Sequence, residues 1–427
     1  LCFYGRRGLL AEDLFLLLEV WHGAFLGSYI QKNEGITMNY NFDQGVDRRG
    51  SDSVKWKRYG EDVLPMWVAD MDFQSPPALL DAVHKRVDHG VFGYSMPPQA
   101  LIDTIVDRMQ QRHNMTIQGE DIKFLPGLVS GLNLMCRAIG EPGDGVLIKT
   151  PVYMPFLSAP GNQGREVQSS EMVKTTVTEK GQSHIHYEID FDAFEAAITE
   201  RTRLFILCNP HNPLGRAFTR AELERMAEIC LKHDLIICSD EIHCDLMMDG
   251  TPHVSIASLS PDIAARTATL IAPSKTFNVP GLGNSAVIAQ NPELMALIVK
   301  AAAGIIPHPN VLGYYGTLAG FTQCQDWHDE LLAYLTANRN FLVEYVNEQL
   351  PDVTTTRPEG TYLAWLDFSQ TAIAADPHKA ILEQAKVGLS DGPTFGAGGE
   401  GFVRVNYGCP RSTLQEGLDR IRGLLVG

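Results

Sequence analysis

Residues 203–243 read RLFILCNPHNPLGRAFTRAELERMAEICLKHDLIICSDEIH. The run 203–208 and the run 235–239 are near-continuously apolar, as strands buried on both faces should be. Between them, 220–233 shows helical periodicity. Thr219 is placed as its N-cap and Glu222, three residues on, completes a capping box. The stretch therefore reads strand, helix, strand. The same alternation extends outward through the β-rich runs Ile122–Leu125, 145–149, 268–272 and 284–290. This predicts an α/β fold whose mostly parallel sheet carries helices on both faces. Ligands of such sheets bind beyond the carboxyl ends of the strands, so chemistry is expected just after each run.

Four strand ends carry chemistry-bearing residues. After Ile122–Leu125 comes PGLVSG (126–131), a glycine turn opening a helix. Such a turn aims free backbone N–H groups and a helix dipole at one spot, which suits a phosphate. It also suits a plain turn, and it is neither GxGxxG nor a Walker loop. After 203–208 comes NPHNPLGR (209–216), where each proline keeps the preceding asparagine out of the α region. That loop is a rigid turn or a mount for an amide donor. Asp240 ends the next run, where a buried carboxylate needs a positive partner. A metal bound by His243, Cys244 and Asp245 is the weaker alternative, since no second ligand cluster accompanies them. After 268–272 comes PSKTFN (273–278); a lysine so placed is desolvated, which lowers its pKa and frees its amine as a nucleophile. A phosphate cradle, an amide, a buried carboxylate and a nucleophilic amine are together the parts of a pyridoxal phosphate site.

The order NPxNPxG, SDEIH, SKxFN resembles the fold-type I aminotransferase superfamily. Finer motifs resemble one branch of it, the MalY/PatB-type cystathionine β-lyases, or C–S lyases. They are LPMWVADMDF (64–73), FGY (92–94), TPVY (150–153), EGTYLAW (359–365) and GFVRVNYGCP (401–410). The resemblance runs from about Met38 to the C-terminus. It implies a large pyridoxal-phosphate-binding domain with a mostly parallel mixed sheet and a smaller α+β C-terminal domain. It implies that Lys275 holds the cofactor covalently, that Asp240 pairs with its ring nitrogen and that Asn212 and His243 meet its phenolic oxygen. Tyr153 would stack on the ring. The N–H groups of Leu128 and Val129 and the Ser274 hydroxyl would hold the phosphate, joined by Tyr94 from the neighbouring subunit of a homodimer. Arg404 would clamp the substrate carboxylate and Trp67 would line the substrate entrance. Many aminotransferases carry a phosphate-binding arginine eight residues after the lysine; here that position is Gly283.

The implied reaction is β-elimination from cystathionine or another S-substituted cysteine, giving a thiol, pyruvate and ammonia. A transaminase using the same lysine is the alternative, favoured less by the branch motifs. A catalytically silent regulatory protein is a second alternative, opposed by the intact set Lys275, Asp240 and Arg404.

The chain has 427 residues and a formal net charge of −16. That charge argues against nucleic-acid or anionic-membrane partners. Eight cysteines without a CxxC read as free thiols of a reducing compartment, so a cytoplasmic enzyme with a small amino-acid substrate is expected. No uncharged apolar run reaches membrane-spanning length. From about 311 the pattern changes to a long helix and then strand, helix, strand, helix. The expected division is 1–37 as an extension outside the fold, 38–75 as a segment packing on the small domain, 76–310 as the large domain and 311–427 as the small one. Within 1–37, Arg6 and Arg7 precede an apolar stretch as in a signal peptide, but Glu12, Asp13 and Glu19 interrupt it.

Overall fold

The computed structural model describes residues 39–179 and 181–426, so the expected extension 1–37 lies outside the described residues. Every element below lies within the unit Phe42–Gly427. A seven-stranded sheet is its frame. In spatial order its strands are Ile122–Leu125, Ser285–Ile288, Thr267–Ile271, Ile236–Asp240, Thr202–Cys208, Gly145–Thr150 and Glu166–Glu171.

All neighbours in this sheet are parallel except Ser285–Ile288, which is antiparallel to both strands beside it. Ser285–Ile288 is thus the antiparallel member of the expected mostly parallel, mixed sheet. The connection from Ile271 contains only the short turn Pro280–Leu282 and no crossover helix, so the chain doubles back. The strands Gly145–Thr150, Thr202–Cys208, Ile236–Asp240 and Thr267–Ile271 are almost wholly buried, which explains their continuous apolar runs. Apolar clusters fill both faces, one around Leu132, Ile206 and Leu270, the other around Phe205, Met226 and Trp365. The helix Arg220–Lys232 opens with the expected box: Thr219 accepts from the Glu222 N–H and Glu222 accepts from the Thr219 N–H.

From Gly145–Thr150 the chain moves to one neighbour, Glu166–Glu171; from Thr202–Cys208 it moves the other way, to Ile236–Asp240. Adjacent strands whose connections diverge leave a crevice at their carboxyl ends. Beyond that crevice lie 151–153, 209–212 and Asp240.

A second sheet is antiparallel, in the order Thr354–Thr355, Leu363–Asp367, Phe402–Asn406, Ser390–Asp391. The N-terminal segment joins this body: Leu64–Pro65 pairs in parallel with Val387–Gly388, and the Asn406 N–H donates to the Met66 carbonyl. A hairpin, Val173–Glu179 with Gln182–Glu188, was not foreseen; its first strand is mostly exposed, its second buries only Ile185 and Tyr187, and both are mixed in composition. The helix Val311–Gln323 lies against Pro77–Asp88, and its Tyr314 is buried with Leu101 and Ile288, so the first body's helical cover continues past residue 310.

Candidate active site

Asp240 is the last residue of its strand and is buried, with one carboxylate oxygen accepting from the Ile242 N–H at 3.1 Å. Burial raises its pKa to about 7; the Ile242 N–H opposes the shift and neighbouring Glu241 adds to it. Glu241 itself is turned away into a buried network, accepting from Ser239, Ser255 and His253.

Lys275 follows strand Thr267–Ile271 by four residues and donates to the Ala69 carbonyl. Burial lowers its amine to about 8; Arg404 acts in the same direction, while Asp70 and Asp240 oppose it. The amine thus lies in the field of the Asp240 carboxylate from the neighbouring strand end and is poised near neutral pH, as a nucleophile or base must be.

Arg404, on strand Phe402–Asn406, reaches the crevice from the second sheet and is 3 % exposed. Its guanidinium donates to Asn212 Oδ1 at 2.8 Å, the Trp67 carbonyl at 2.7 Å and Ser390 Oγ at 3.1 Å. Burial lowers its pKa to about 10, and Nε has no partner. A guanidinium only donates, so the Asn212 atom facing it is the oxygen and the amide N–H₂ is directed elsewhere. Asn212 is held further by its carbonyl, which accepts from the Tyr153 N–H at 3.0 Å.

Tyr153 caps the helix Met154–Asn162 and is partly buried, with its phenol raised by burial. His243 is buried beside the Tyr362 ring; its Nδ1 has no partner, and burial drives its pKa well below the usual value. Asp245 is committed elsewhere, paired with Arg108 and accepting from Thr276, so it does not join His243.

Leu128 and Val129 begin the helix Leu128–Ala138, where the first N–H groups have no intrahelical partner. The preceding Gly127 is extended and open around its Cα, so a ligand can approach the turn. Ser274 sits one residue before Lys275 and is half-buried. Gly283 is in the left-handed region at φ 56°, and a Cβ there would lie 3.3 Å from the Pro126 carbonyl oxygen. A side chain would crowd the phosphate-cradle turn, which gives a physical reason for glycine where relatives of the superfamily carry arginine. Trp67 is fixed by its Nε1–H donating to the Lys55 carbonyl at 3.2 Å. Tyr94 is fully exposed, so a single chain does not enclose it.

Several supporting residues escaped the sequence reading. Asn278 grips residues 71–73, accepting from the Met71 N–H and donating to the Met71 and Phe73 carbonyls. Asn406 donates to the Val68 and Asp70 carbonyls, and Tyr362 to that of Ala69. His211 lies between the Cys208 and Pro151 carbonyl oxygens, at 3.2 and 2.8 Å, joining the two sides of the crevice. The recurrence of asparagine in SKTFN and VRVNYG was the available signal; the targets, backbone carbonyls, have none.

The donor set fits pyridoxal phosphate: a carboxylate for a pyridinium nitrogen, an amine for an aldehyde, an amide N–H₂ for a phenolate and a helix N-terminus for a phosphate. Known proteins agree. Residues 61–421 match the family model for aminotransferase class I and II. The chain is 40% identical over 396 residues to cystathionine beta-lyase PatB of Bacillus subtilis, covering 90% of this chain and all of that one. It is 33% identical to protein MalY of Escherichia coli, covering 89% of this chain and 97% of the relative. Among solved structures, cystalysin of Treponema denticola, which contains a pyridoxal 5'-phosphate cofactor, matches with a TM-score of 0.85 at 34% identity, covering 91% of this chain and 99% of that one. The chain belongs to the class I and II aminotransferases, in their pyridoxal-phosphate-dependent carbon–sulfur β-lyase branch.

Proposed function

We propose that this enzyme cleaves cystathionine or a related S-substituted cysteine to a thiol, pyruvate and ammonia, with Lys275 as its central base. The observation that carries the reading is the convergence of Lys275, Asp240 and Arg404 on one crevice from two sheets. Pyridoxal phosphate, when bound, supplies the electron sink that makes the α-proton of an amino acid removable.

The chain's own residues supply the rest. Asp240 holds a proton on the ring nitrogen, and that positive partner returns a carboxyl raised by burial to its charged form. Asn212 directs its amide N–H₂ at the phenolic oxygen, with His243 beside it. Tyr153 covers the ring face. The helix N-terminus at Leu128 and Val129, with Ser274, receives the phosphate. Arg404 exchanges protein acceptors for the substrate α-carboxylate, a bidentate pairing lysine cannot reproduce. Lys275 takes the α-proton, the carbon–sulfur bond breaks, and the thiolate leaves with the bonding pair. Water then releases the remaining three carbons as pyruvate and the nitrogen as ammonia.

The test is a coupled pyruvate assay with cystathionine. Steady pyruvate release is expected, and Lys275→Ala should lower it by at least about a thousandfold, the scale of losing an essential base. Pyruvate release retained in that variant would remove Lys275 from the reaction. A keto acid formed only when a second keto acid is supplied would make the protein a transaminase.

A further inference from the structure

An acidic molecule carries a basic segment shortly before the residues that meet its substrate clamp. Residues 48–58 hold Arg48, Arg49, Lys55, Lys57 and Arg58 against the single acid Asp52, in a chain of net charge −16. Arg48 and Lys55 are consumed by Asp70 and Asp72, and Lys57 by Asp52. Arg58 makes no ion pair among the described residues. It is exposed, and its guanidinium carbon lies 4.6 Å from the centroid of the Trp67 ring and 5.7 Å from that of Tyr59. Those two rings meet edge to face at 6.2 Å.

This stack is tied to the clamp from two sides. The Trp67 carbonyl accepts from both Arg404 and Ser390, so the residue carrying the ring is one hydrogen bond from the guanidinium that receives the α-carboxylate. The Tyr59 ring lies over Gly388, where a Cβ would come within 2.6 Å of it, two residues before Ser390. The stacked arginine is therefore linked to Arg404 through Trp67, its flat face on the aromatic rings and its edge N–H groups without a partner among the described residues.

We propose that Arg58 is a specificity residue that receives a carboxylate on the leaving-group side of the substrate. The inference rests on the lyase reading above and names its substrate class: cysteine thioethers whose sulfur substituent ends in a carboxylate. One arginine holds the α-carboxylate, the other the distal one, with the scissile carbon–sulfur bond between them. A rim cation in a negative molecule also draws anionic substrates to the crevice, an attraction that salt weakens.

The experiment compares two thioethers of equal length with the holoenzyme, S-(2-carboxyethyl)-cysteine and S-propyl-cysteine, by pyruvate release. The unmodified enzyme should favour the carboxylated compound. Arg58→Ala should reduce the ratio of the two kcat/KM values by about two- to fivefold, through KM and not kcat, as expected for a solvent-exposed ion pair. Arg58→Lys should retain part of the ratio, and added salt should shrink it in the unmodified enzyme. An unchanged ratio in Arg58→Ala, or a change confined to kcat, would overturn the assignment. Failure of both compounds to yield pyruvate with the unmodified enzyme would overturn the lyase reading and this inference with it.

Discussion

Asp240 shows how a site residue costs the fold something that its ligand returns. Burial holds its carboxyl protonated up to about pH 7 in the cofactor-free chain, against 3.8 for a free side chain. A folded-state pKa raised in this way means that the folded chain binds the proton more tightly than the unfolded one. Its stabilising contribution is present below the unfolded pKa and is lost as pH rises through the folded one. Cofactor-free Asp240→Asn should therefore gain on the parent as pH rises from about 5 to 8, by about 1–3 kcal/mol. Denaturant midpoints of the two proteins at each pH give the difference, and parallel pH profiles would mean that Asp240 is already ionised in the folded chain. Asp240 and Lys275 were legible in the sequence because their chemistry conflicts with their neighbours: a charge at the end of an apolar run is an anomaly visible in one dimension. The grip of Lys275 and Arg404 on the Ala69 and Trp67 carbonyls was not legible, because every residue offers the same carbonyl.

At the scale of elements, the segment 66–73 is the piece that both sheets share. Asn278 and Lys275 hold it from the loop after Thr267–Ile271, and Arg404 and Asn406 from the strand Phe402–Asn406. It has little regular structure of its own, so these side chains do the work that a sheet ladder does elsewhere. Asn278 also sits at φ 56°, a conformation asparagine tolerates better than alanine. Asn278→Ala should cost about 2–4 kcal/mol, from lost hydrogen bonds and backbone strain together. Asn278→Gly removes the hydrogen bonds while relieving the strain, so the gap between the variants in denaturant unfolding separates the two causes. Hydrogen exchange in residues 69–75 should quicken in both, and unchanged exchange there would show that the segment is held from the other side alone. The parallel core strands were readable for the reason that makes them stable: burial on two faces leaves only apolar residues. The antiparallel turn-back of Ser285–Ile288 was not, because its direction depends on the absence of a crossover helix and not on its own four residues. The hairpin of Val173–Glu179 and Gln182–Glu188 escaped for the opposite reason, since only Ile185 and Tyr187 are buried in it, too few to make an apolar pattern.

At the scale of the whole molecule, the exposed surface is least satisfied along 91–96. Val91, Phe92, Tyr94 and Met96 are all exposed there within six residues. A cluster of large apolar side chains in water marks an interaction surface more often than a free one. The resemblance to the β-lyase branch implies, and we propose, that a second copy of the chain covers that surface, with Tyr94 reaching the partner's phosphate cradle. A phosphate held by a helix N-terminus and hydroxyls, with Gly283 where an arginine commonly stands, leaves room for such a donor. The holoenzyme should therefore sediment with the mass of two chains. Tyr94→Phe should keep the dimer and lose the hydroxyl, weakening cofactor retention by about tenfold or slightly more, the worth of one hydrogen bond to a charged group at the low end of its range. Dialysis against cofactor-free buffer, followed by the visible spectrum, measures that retention. Unaltered retention in the dimeric variant would take Tyr94 out of the site, and an active species of one-chain mass would remove the shared site altogether.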